Sequence, residues 1–264
     1  MDALAIKIAL SFVVAGAWVA FSTFVAEKHG SRLGGLIAWM PSNAVVGLLF
    51  LGMAYGPVGA AEVASVVPLA MVSYLAFLLA YIGAAGRWGM PSFAIGLLAW
   101  LIVAAAISAF GNWSVDVGVL AYSACTLAAF FIADRVLRVQ SKIRGGSCAQ
   151  ASEGEVAFRV VLAGGMVALV VAAPSLAGPY FGGLLMTFPA ATMSNLYILA
   201  RAQGMDFSRA AAKSMILSSG GCYLFILLGY FTYPWMGVLP GTLVSYAAAA
   251  LYLAAIKPFV DKMK

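Results

Sequence analysis

Polar side chains that can hydrogen-bond a small solute lie beside two prolines in apolar segments of the chain. They are Ser42 and Asn43, just after Pro41, and Thr187, Thr192, Ser194 and Asn195, around Pro189. Proline removes a backbone hydrogen bond and frees a carbonyl group, so it bends or breaks a helix. Broken helices at matched places in two halves of a chain are typical of transport sites. The six polar residues are therefore candidate substrate-binding residues.

A glycine pair precedes each proline at the same spacing. Gly34 and Gly35 precede Pro41, and Gly182 and Gly183 precede Pro189. We expect each set of two glycines and a proline to mark a break in a helix. The alternative is that the glycines allow helices to pack closely and that the hydroxyl groups bond to their own helix. The amides of Asn43 and Asn195 are the stronger binding candidates, because an amide cannot satisfy all its donors so locally.

Two cations and one acid can act on a charged solute. Arg209 and Lys213 lie four residues apart and share one face of a predicted helix. If this span begins near Phe207, the helical rise places Lys213 about 9 Å inside it. One interpretation is that Lys213 extends to the lipid head groups. The other is that Arg209 and Lys213 line a cytoplasmic vestibule that attracts an anionic substrate or a lipid head group. On the outer side, Glu62 is a candidate for proton coupling, and an interfacial ion pair with Lys7 is the alternative.

Enzyme chemistry is not expected. The chain has no H-E-x-x-H motif and no plausible Ser/His/Asp set, and its single histidine, His29, falls between predicted spans. The three cysteines, Cys125, Cys148 and Cys222, show no C-x-x-C spacing. We therefore predict no catalytic residue, no metal site and no cofactor.

These residues must be positioned by membrane helices. Hydrophobic residues make up 64% of the 264 residues and charged residues only 9%, which excludes a water-facing globular surface. Apolar stretches long enough to cross a bilayer recur along the chain, and strict two-residue alternation is absent. The predicted spans are about 3–26, 33–55, 59–84, 91–111, 116–134, 156–174, 181–200, 207–232 and 236–256.

The cations test this count of nine spans. With nine crossings, 14 of the 15 lysines and arginines fall on one side, and only Lys7 falls on the other. If the weakest span, 116–134, is omitted, they divide 12 to 3, which agrees less well with the rule that cations stay inside. By that rule the N-terminus is outside and the C-terminus is cytoplasmic. The cations are dispersed and lack interleaved aromatic residues, so no nucleic-acid binding is expected.

The chain contains an internal repeat. Gly30 and Gly178 are 148 positions apart, and the same offset superimposes the glycine pairs and the prolines of GGLIAWMP and GGLLMTFP, as well as Gly56 on Gly204. The predicted units are a first four-helix repeat at 1–112, a connecting transmembrane helix at 113–135, a cytoplasmic linker at 136–155 and a second four-helix repeat at 156–264. Because one crossing separates two four-span units, the repeats have opposite orientations. The predicted fold class is an all-α membrane protein with nine transmembrane helices in a 4+1+4 inverted-repeat arrangement.

The second unit carries a recognisable set of residues. Gly183 and Leu184 lead to Pro189, Gly204 is followed by Asp206 and Arg209, and Leu239 and Pro240 begin the last span. In this pattern the unit resembles the GlpM family of small four-span bacterial inner-membrane proteins. The first unit keeps the glycines and prolines but has Val58 and Ala61 in place of the acid and the arginine. The resemblance implies a four-span module, here duplicated and fused, in a prokaryotic cytoplasmic membrane; it implies no biochemical activity.

Two functions follow from the sequence. Inverted repeats favour a secondary transporter that moves a small solute, for which an anion is one candidate, by alternating access. The scarcity of charge within the spans leaves a non-transporting scaffold or lipid-handling subunit of cell-envelope synthesis as the alternative. The expected partners are membrane lipids and a small-molecule solute, while the substrate, coupling ion and oligomeric state stay open.

Overall fold

The computed structural model of the protein describes residues 3–39, 42–109, 113–139 and 153–262. Every regular element in these ranges is helical. The helices are α1 (Ala3–Trp39), α2 (Ser42–Trp88), α3 (Ser92–Ala109), α4 (Val115–Phe131), a π-helical turn (Ile132–Val136), α5 (Glu153–Ala177), α6 (Pro179–Met186), α7 (Ala190–Gln203), α8 (Met205–Met236) and α9 (Val238–Lys262). Most of the predicted linker at 136–155 lies outside the described residues.

Eight helical stretches in the described part of the chain are long and apolar enough to cross a membrane. They are Ala3–Phe21, Asn43–Trp88, Ser92–Ala109, Val115–Val136, Gly154–Ala177, Pro179–Gln203, Met205–Met236 and Val238–Val260. The weakest predicted span, 116–134, is among them. Asn43–Trp88 is 46 residues long and takes in most of two predicted spans, 33–55 and 59–84. The chain is therefore all-helical, with the build of a multi-pass membrane protein.

Glycines with positive φ mark where the chain changes direction between helices. Gly56, inside α2, has φ 78° and ψ 172°, and Gly204, between α7 and α8, has φ 92° and ψ 163°. Only glycine adopts this backbone region without strain. Gly89 and Gly237, which precede α3 and α9, also have positive φ, at 62° and 83°. The members of both pairs are 148 positions apart in the sequence.

The predicted break at Pro189 separates α6 from α7. α6 ends at Met186 and α7 begins at Ala190, with Pro189 at φ −79° and ψ 36°. Gly182 and Gly183 lie within α6 and not in the break. A Cβ atom at Gly183 would lie 2.7 Å from the carbonyl oxygen of Val63, so this glycine lets α6 approach α2 closely. Pro41 lies outside the described residues, between the end of α1 and the start of α2, and Gly34 and Gly35 lie near the end of α1.

The longest helix, α2, forms the centre of the molecule. It packs against α8, α3, α4 and α6. Leu48 of α2 contacts Gly229 of α8, while Tyr81 of α2 bonds to Ser208 near the start of α8. Leu48 precedes the kink at Gly56 and Tyr81 follows it, so both parts of α2 contact α8. The α2–α3 pair has a counterpart in the α8–α9 pair.

α1 and α5 meet in a reciprocal contact. A Cβ atom at Gly16 would lie 2.9 Å from Cγ1 of Val160, and a Cβ atom at Gly164 would lie 2.8 Å from the carbonyl oxygen of Phe12. Gly164 is 148 positions after Gly16, and Val160 is 148 positions after Phe12. Each helix therefore presents the same two positions to the other, and the two helices run antiparallel.

Candidate functional site

A buried polar cluster surrounds the break between α6 and α7. Thr187, which is only 3% exposed, donates a 2.8 Å hydrogen bond to the carbonyl oxygen of Leu184. Its hydroxyl also lies 3.4 Å from the hydroxyl of Ser73 and accepts a 3.4 Å hydrogen bond from Nε1 of Trp100. The ring of Trp100 stacks edge-on against Phe188, with 5.3 Å between centroids. α2 and α3 thus enclose the break on the side of Thr187.

Thr192 extends this cluster into the first turn of α7. Its hydroxyl lies 2.8 Å from the hydroxyl of Tyr74, the residue after Ser73 in α2. The cluster formed by Ser73, Tyr74, Trp100, Thr187 and Thr192, here called the break cluster, offers hydroxyl groups that donate or accept and one indole donor, and it carries no charge. A small solute with polar atoms could be bound here by hydrogen bonds alone.

The other predicted polar residues occupy different environments. The hydroxyl of Ser194 bonds to the carbonyl oxygens of Ala190 and Ala191 in its own helix, which is the structural alternative predicted for such residues. Asn195 is half-buried. In Asn43 the side-chain oxygen is buried without a hydrogen-bond partner, so this amide retains an acceptor for another group. The side chain of Ser42 lies outside the described set.

Sequence reasoning missed three members of the break cluster. Ser73, Tyr74 and Trp100 lie in predicted spans at 59–84 and 91–111, far from any glycine pair. The adjacent serine and tyrosine in an otherwise apolar stretch were the available signal, because polar residues inside a membrane span tend to be functional. Tyr74 is 118 residues from Thr192, and Ser73 and Trp100 are 114 and 87 residues from Thr187, so no local pattern links them.

Lys213 is a buried cation paired with the half-exposed Asp134, an arrangement that neither sequence interpretation anticipated. Its side chain is 1% exposed, and Nζ donates hydrogen bonds of 2.7 Å to Asp134 and 2.8 Å to the carbonyl oxygen of Val139. Nζ also lies 5.9 Å from the centroid of the Phe130 ring. The ammonium group therefore neither extends to the head groups nor lines an open vestibule, because Asp134 already neutralises it inside the protein.

Arg209, one turn before Lys213 on α8, also bonds within the protein. Its Nε donates a 2.7 Å hydrogen bond to the carbonyl oxygen of Ile82, and Nη2 donates a 3.4 Å bond to that of Leu137. Arg209 and Lys213 thus both hold the chain that follows α4. Asp134 lies in the π-helical turn, and such turns occur frequently at functional sites. The sequence gives one sign of this arrangement, an acid at the end of a predicted span.

α4 also contacts α8 through a second group of side chains. The hydroxyl of Tyr122 lies 2.8 Å from that of Ser219, and the rings of Tyr122 and Tyr223 stack with 4.1 Å between centroids. A Cβ atom at Gly118 would lie 2.8 Å from the backbone nitrogen of Leu69, so α4 also contacts α2 closely. The connecting helix is therefore an integral part of the bundle.

Glu62 and Lys7 do not form the ion pair considered from the sequence. Glu62 is exposed, and Lys7 donates a 2.7 Å hydrogen bond to the carbonyl oxygen of Met53. A role for Glu62 in coupling stays a prediction.

Comparisons with protein-family models, with curated proteins and with solved structures found no match to the chain.

Proposed function

We propose that this protein is a secondary carrier in a prokaryotic cytoplasmic membrane, built from two inverted GlpM-like units and a connecting helix. It moves a small polar solute by alternating access, with the N-terminus outside and the C-terminus in the cytoplasm. In this proposal the chain is not an enzyme and requires no cofactor.

The observation that carries the proposal is the reciprocal contact between α1 and α5. Gly16 faces Val160 as Gly164 faces Phe12, with one offset relating both contacts. Antiparallel packing of equivalent helices is what two inverted units require. The glycine pairs Gly56/Gly204 and Gly89/Gly237 support the same relation independently, because they repeat a rare backbone conformation at the same offset.

The break cluster is the proposed solute site. It lies where the second unit interrupts a helix, and discontinuous helices form the central sites of many carriers. The serine, threonine and asparagine residues proposed from the sequence, Asn43 and Asn195 included, stay candidate substrate-binding residues. Arg209 and Lys213 act indirectly in this proposal, by fixing the connecting helix against α8.

The proposal is tested in two stages with the purified full-length chain. A thermal-stability screen against inorganic phosphate, sulfate, short carboxylates, amino acids and sugars selects solutes that raise the melting temperature. Counterflow of the selected solute is then measured in proteoliposomes, with protein-free vesicles as the control. Exchange that depends on the protein is the expected result. If none of these solutes is exchanged, carrier function for these classes is rejected.

A second candidate is the non-transporting scaffold, which the tight packing of glycines favours. A Cβ atom at Gly183 would lie 2.6 Å from that of Val66, and one at Gly229 would lie 2.6 Å from Cδ2 of Leu48. Interfaces this close resist rearrangement. A solute that stabilises the protein without being exchanged supports this candidate over the carrier.

A further inference from the structure

A groove lies between α5, α7 and the start of α3, and its lining on α7 begins at Met193 and Ser194, directly after Thr192 of the break cluster. Its volume is about 660 Å³, within the range of about 300–1,000 Å³ that is usual for small-molecule sites. Its apolar lining includes Met90, Phe93, Phe158, Leu162, Met193 and Ile198. Phe158 is 60% exposed, so the apolar wall opens outward to the surroundings of the helices. In a membrane those surroundings are lipid chains.

Charged residues lie at one end of this groove. They are Arg159, Arg201 and Glu155. Nη1 of Arg201 donates a 3.2 Å hydrogen bond to the hydroxyl of Tyr197, and its guanidinium carbon lies 6.0 Å from the centroid of that ring. Tyr197 thus holds Arg201 in place while other guanidinium donors remain for a ligand. Two arginines against one glutamate leave this end of the groove with a net positive charge.

The two arginines of this end occur in one half of the chain only, and the position of Glu155 is taken in the other half by Lys7, which donates a 2.7 Å hydrogen bond to the carbonyl oxygen of Met53. The residues 148 positions before Arg159, Tyr197 and Arg201 are Ser11, Leu49 and Met53. The hydroxyl of Ser11 bonds to its own helix, at the carbonyl oxygen of Ile8. At the same place in the first half, Val238 packs against Gly52, where a Cβ atom would lie 2.6 Å from Cγ2 of Val238. The first half has one lysine and neither arginine at this place, so packing of the helices alone does not require the two guanidinium groups.

We propose that the groove binds one acidic phospholipid. The phosphate contacts Arg159 and Arg201, and an acyl chain lies along Phe93, Phe158 and Met193. Guanidinium groups suit phosphate because they present several parallel donors. The exposed Trp88, close to Met90 in the chain, fits the aromatic residues that collect at membrane interfaces. The cations of this end belong to the predicted cytoplasmic face, where acidic lipids concentrate in many membranes. This proposal does not depend on transport.

The test uses the full chain in a neutral detergent, with native mass spectrometry and melting temperature as readouts. Phosphatidylglycerol and phosphatidylcholine with identical acyl chains are compared, and glycerol phosphate without acyl chains serves as the free-anion probe. The wild type is expected to retain one phosphatidylglycerol molecule and to prefer it over phosphatidylcholine. Arg159→Gln/Arg201→Gln is expected to weaken phosphatidylglycerol binding by about tenfold or more, since each lost bond involves a charged group.

Two further variants separate the head group from the chain. Arg135→Gln changes an arginine outside the groove, 75% exposed, and is expected to keep the wild-type preference. Leu162→Trp fills the groove and is expected to weaken both lipids. The proposal is overturned if the double variant keeps the preference, if Arg135→Gln loses it equally, or if glycerol phosphate stabilises the chain as strongly as the lipid. Should the double variant fail to fold, Arg201→Gln, an exposed position, gives the same readout.

Discussion

The ammonium group of Lys213 and the carboxylate of Asp134 are joined by a 2.7 Å hydrogen bond, yet the lysine side chain is 1% exposed and the aspartate side chain is 39% exposed. The two charged groups therefore rely on each other for solvation to different degrees. Water can solvate Asp134 without its partner, whereas Lys213 would be left with the carbonyl oxygen of Val139 and the face of Phe130.

Removing the acid should therefore destabilise the protein more than removing the lysine. Asp134→Ala leaves a buried charge without a counter-ion, and a loss of about 3–5 kcal/mol in unfolding free energy is expected. Lys213→Met leaves a carboxylate that water reaches, and a loss of about 1–2 kcal/mol is expected. Unfolding in detergent measures both. The double variant should be more stable than Asp134→Ala alone, and the reverse order of the two single variants would contradict this account.

The contact between α1 and α5 predicts unequal effects at neighbouring glycines. Gly164→Ala places a Cβ atom 2.8 Å from the backbone oxygen of Phe12, and a loss of about 1–3 kcal/mol is expected from overpacking. Gly165→Ala is the matched control, because a Cβ atom there meets nothing within 4 Å. The control should be neutral or stabilising by up to about 1 kcal/mol. Equal effects of the two substitutions on the melting temperature would rule out the close approach.

The turns at Gly56 and Gly204 should respond alike to substitution. Neither position has an atom within 4 Å of an added Cβ, so the effect of alanine comes from the backbone conformation alone. Each alanine variant is expected to lose about 1–3 kcal/mol, because its φ is positive and its ψ is extended. Gly83→Ala, in open space within the regular part of α2, provides the control. Thermal unfolding measures the stability of the two turn variants against that of Gly83→Ala.

The connecting helix should place its two ends on opposite sides of the membrane. Ser114→Cys and Arg135→Cys, introduced separately after all three cysteines are replaced by serine, mark these ends. A membrane-impermeant maleimide is expected to label residue 114 from outside and residue 135 only in inverted vesicles. Labelling of both positions from one side would mean that α4 does not cross the bilayer.

Carrier activity should depend on the hydroxyl of Thr187. Thr187→Val keeps the shape of the side chain and removes a group that contacts Leu184, Ser73 and Trp100. Uptake of the solute selected by the stability screen is expected to fall by about tenfold or more, as expected for the loss of buried hydrogen bonds. Ser175→Ala, at an exposed hydroxyl that bonds within its own helix, should transport like the wild type.

Features that act through the backbone were predictable from the sequence. Pro189 lacks the backbone N–H group that a continuous helix would use, and Gly204 permits a conformation that other residues avoid. The apolar stretches likewise define membrane helices by length and composition alone. These properties belong to single residues or short segments, so neighbouring sequence is sufficient to identify them.

Features that depend on packing between helices were not predictable in this way. Lys213 and Asp134 are 79 positions apart, and their pairing requires α4 to lie against α8. The same holds for Tyr74 and Thr192, which meet only because α6 packs on α2. Considered without its partner, Lys213 suggests a head-group contact, since an isolated lysine in a span usually extends its ammonium group to the membrane–water interface. The counter-charge that removes this need, Asp134, lies in the π-helical turn, outside both predicted repeats.

Helices α5 and α7 carry different charges from the positions of α1 and α2 that stand 148 residues before them. This difference bears on the history of the proposed duplication. When a membrane protein pairs with an inverted copy of itself, every mutation alters both copies, and neither can specialise. Fusion of the copies removes this restriction. Under the proposed duplication, Arg201 where the other half has Met53, and Glu155 where it has Lys7, are differences that only a fused chain can carry. A two-fold scaffold of this kind can therefore acquire a distinct inner and outer face without losing the packing that joins its halves.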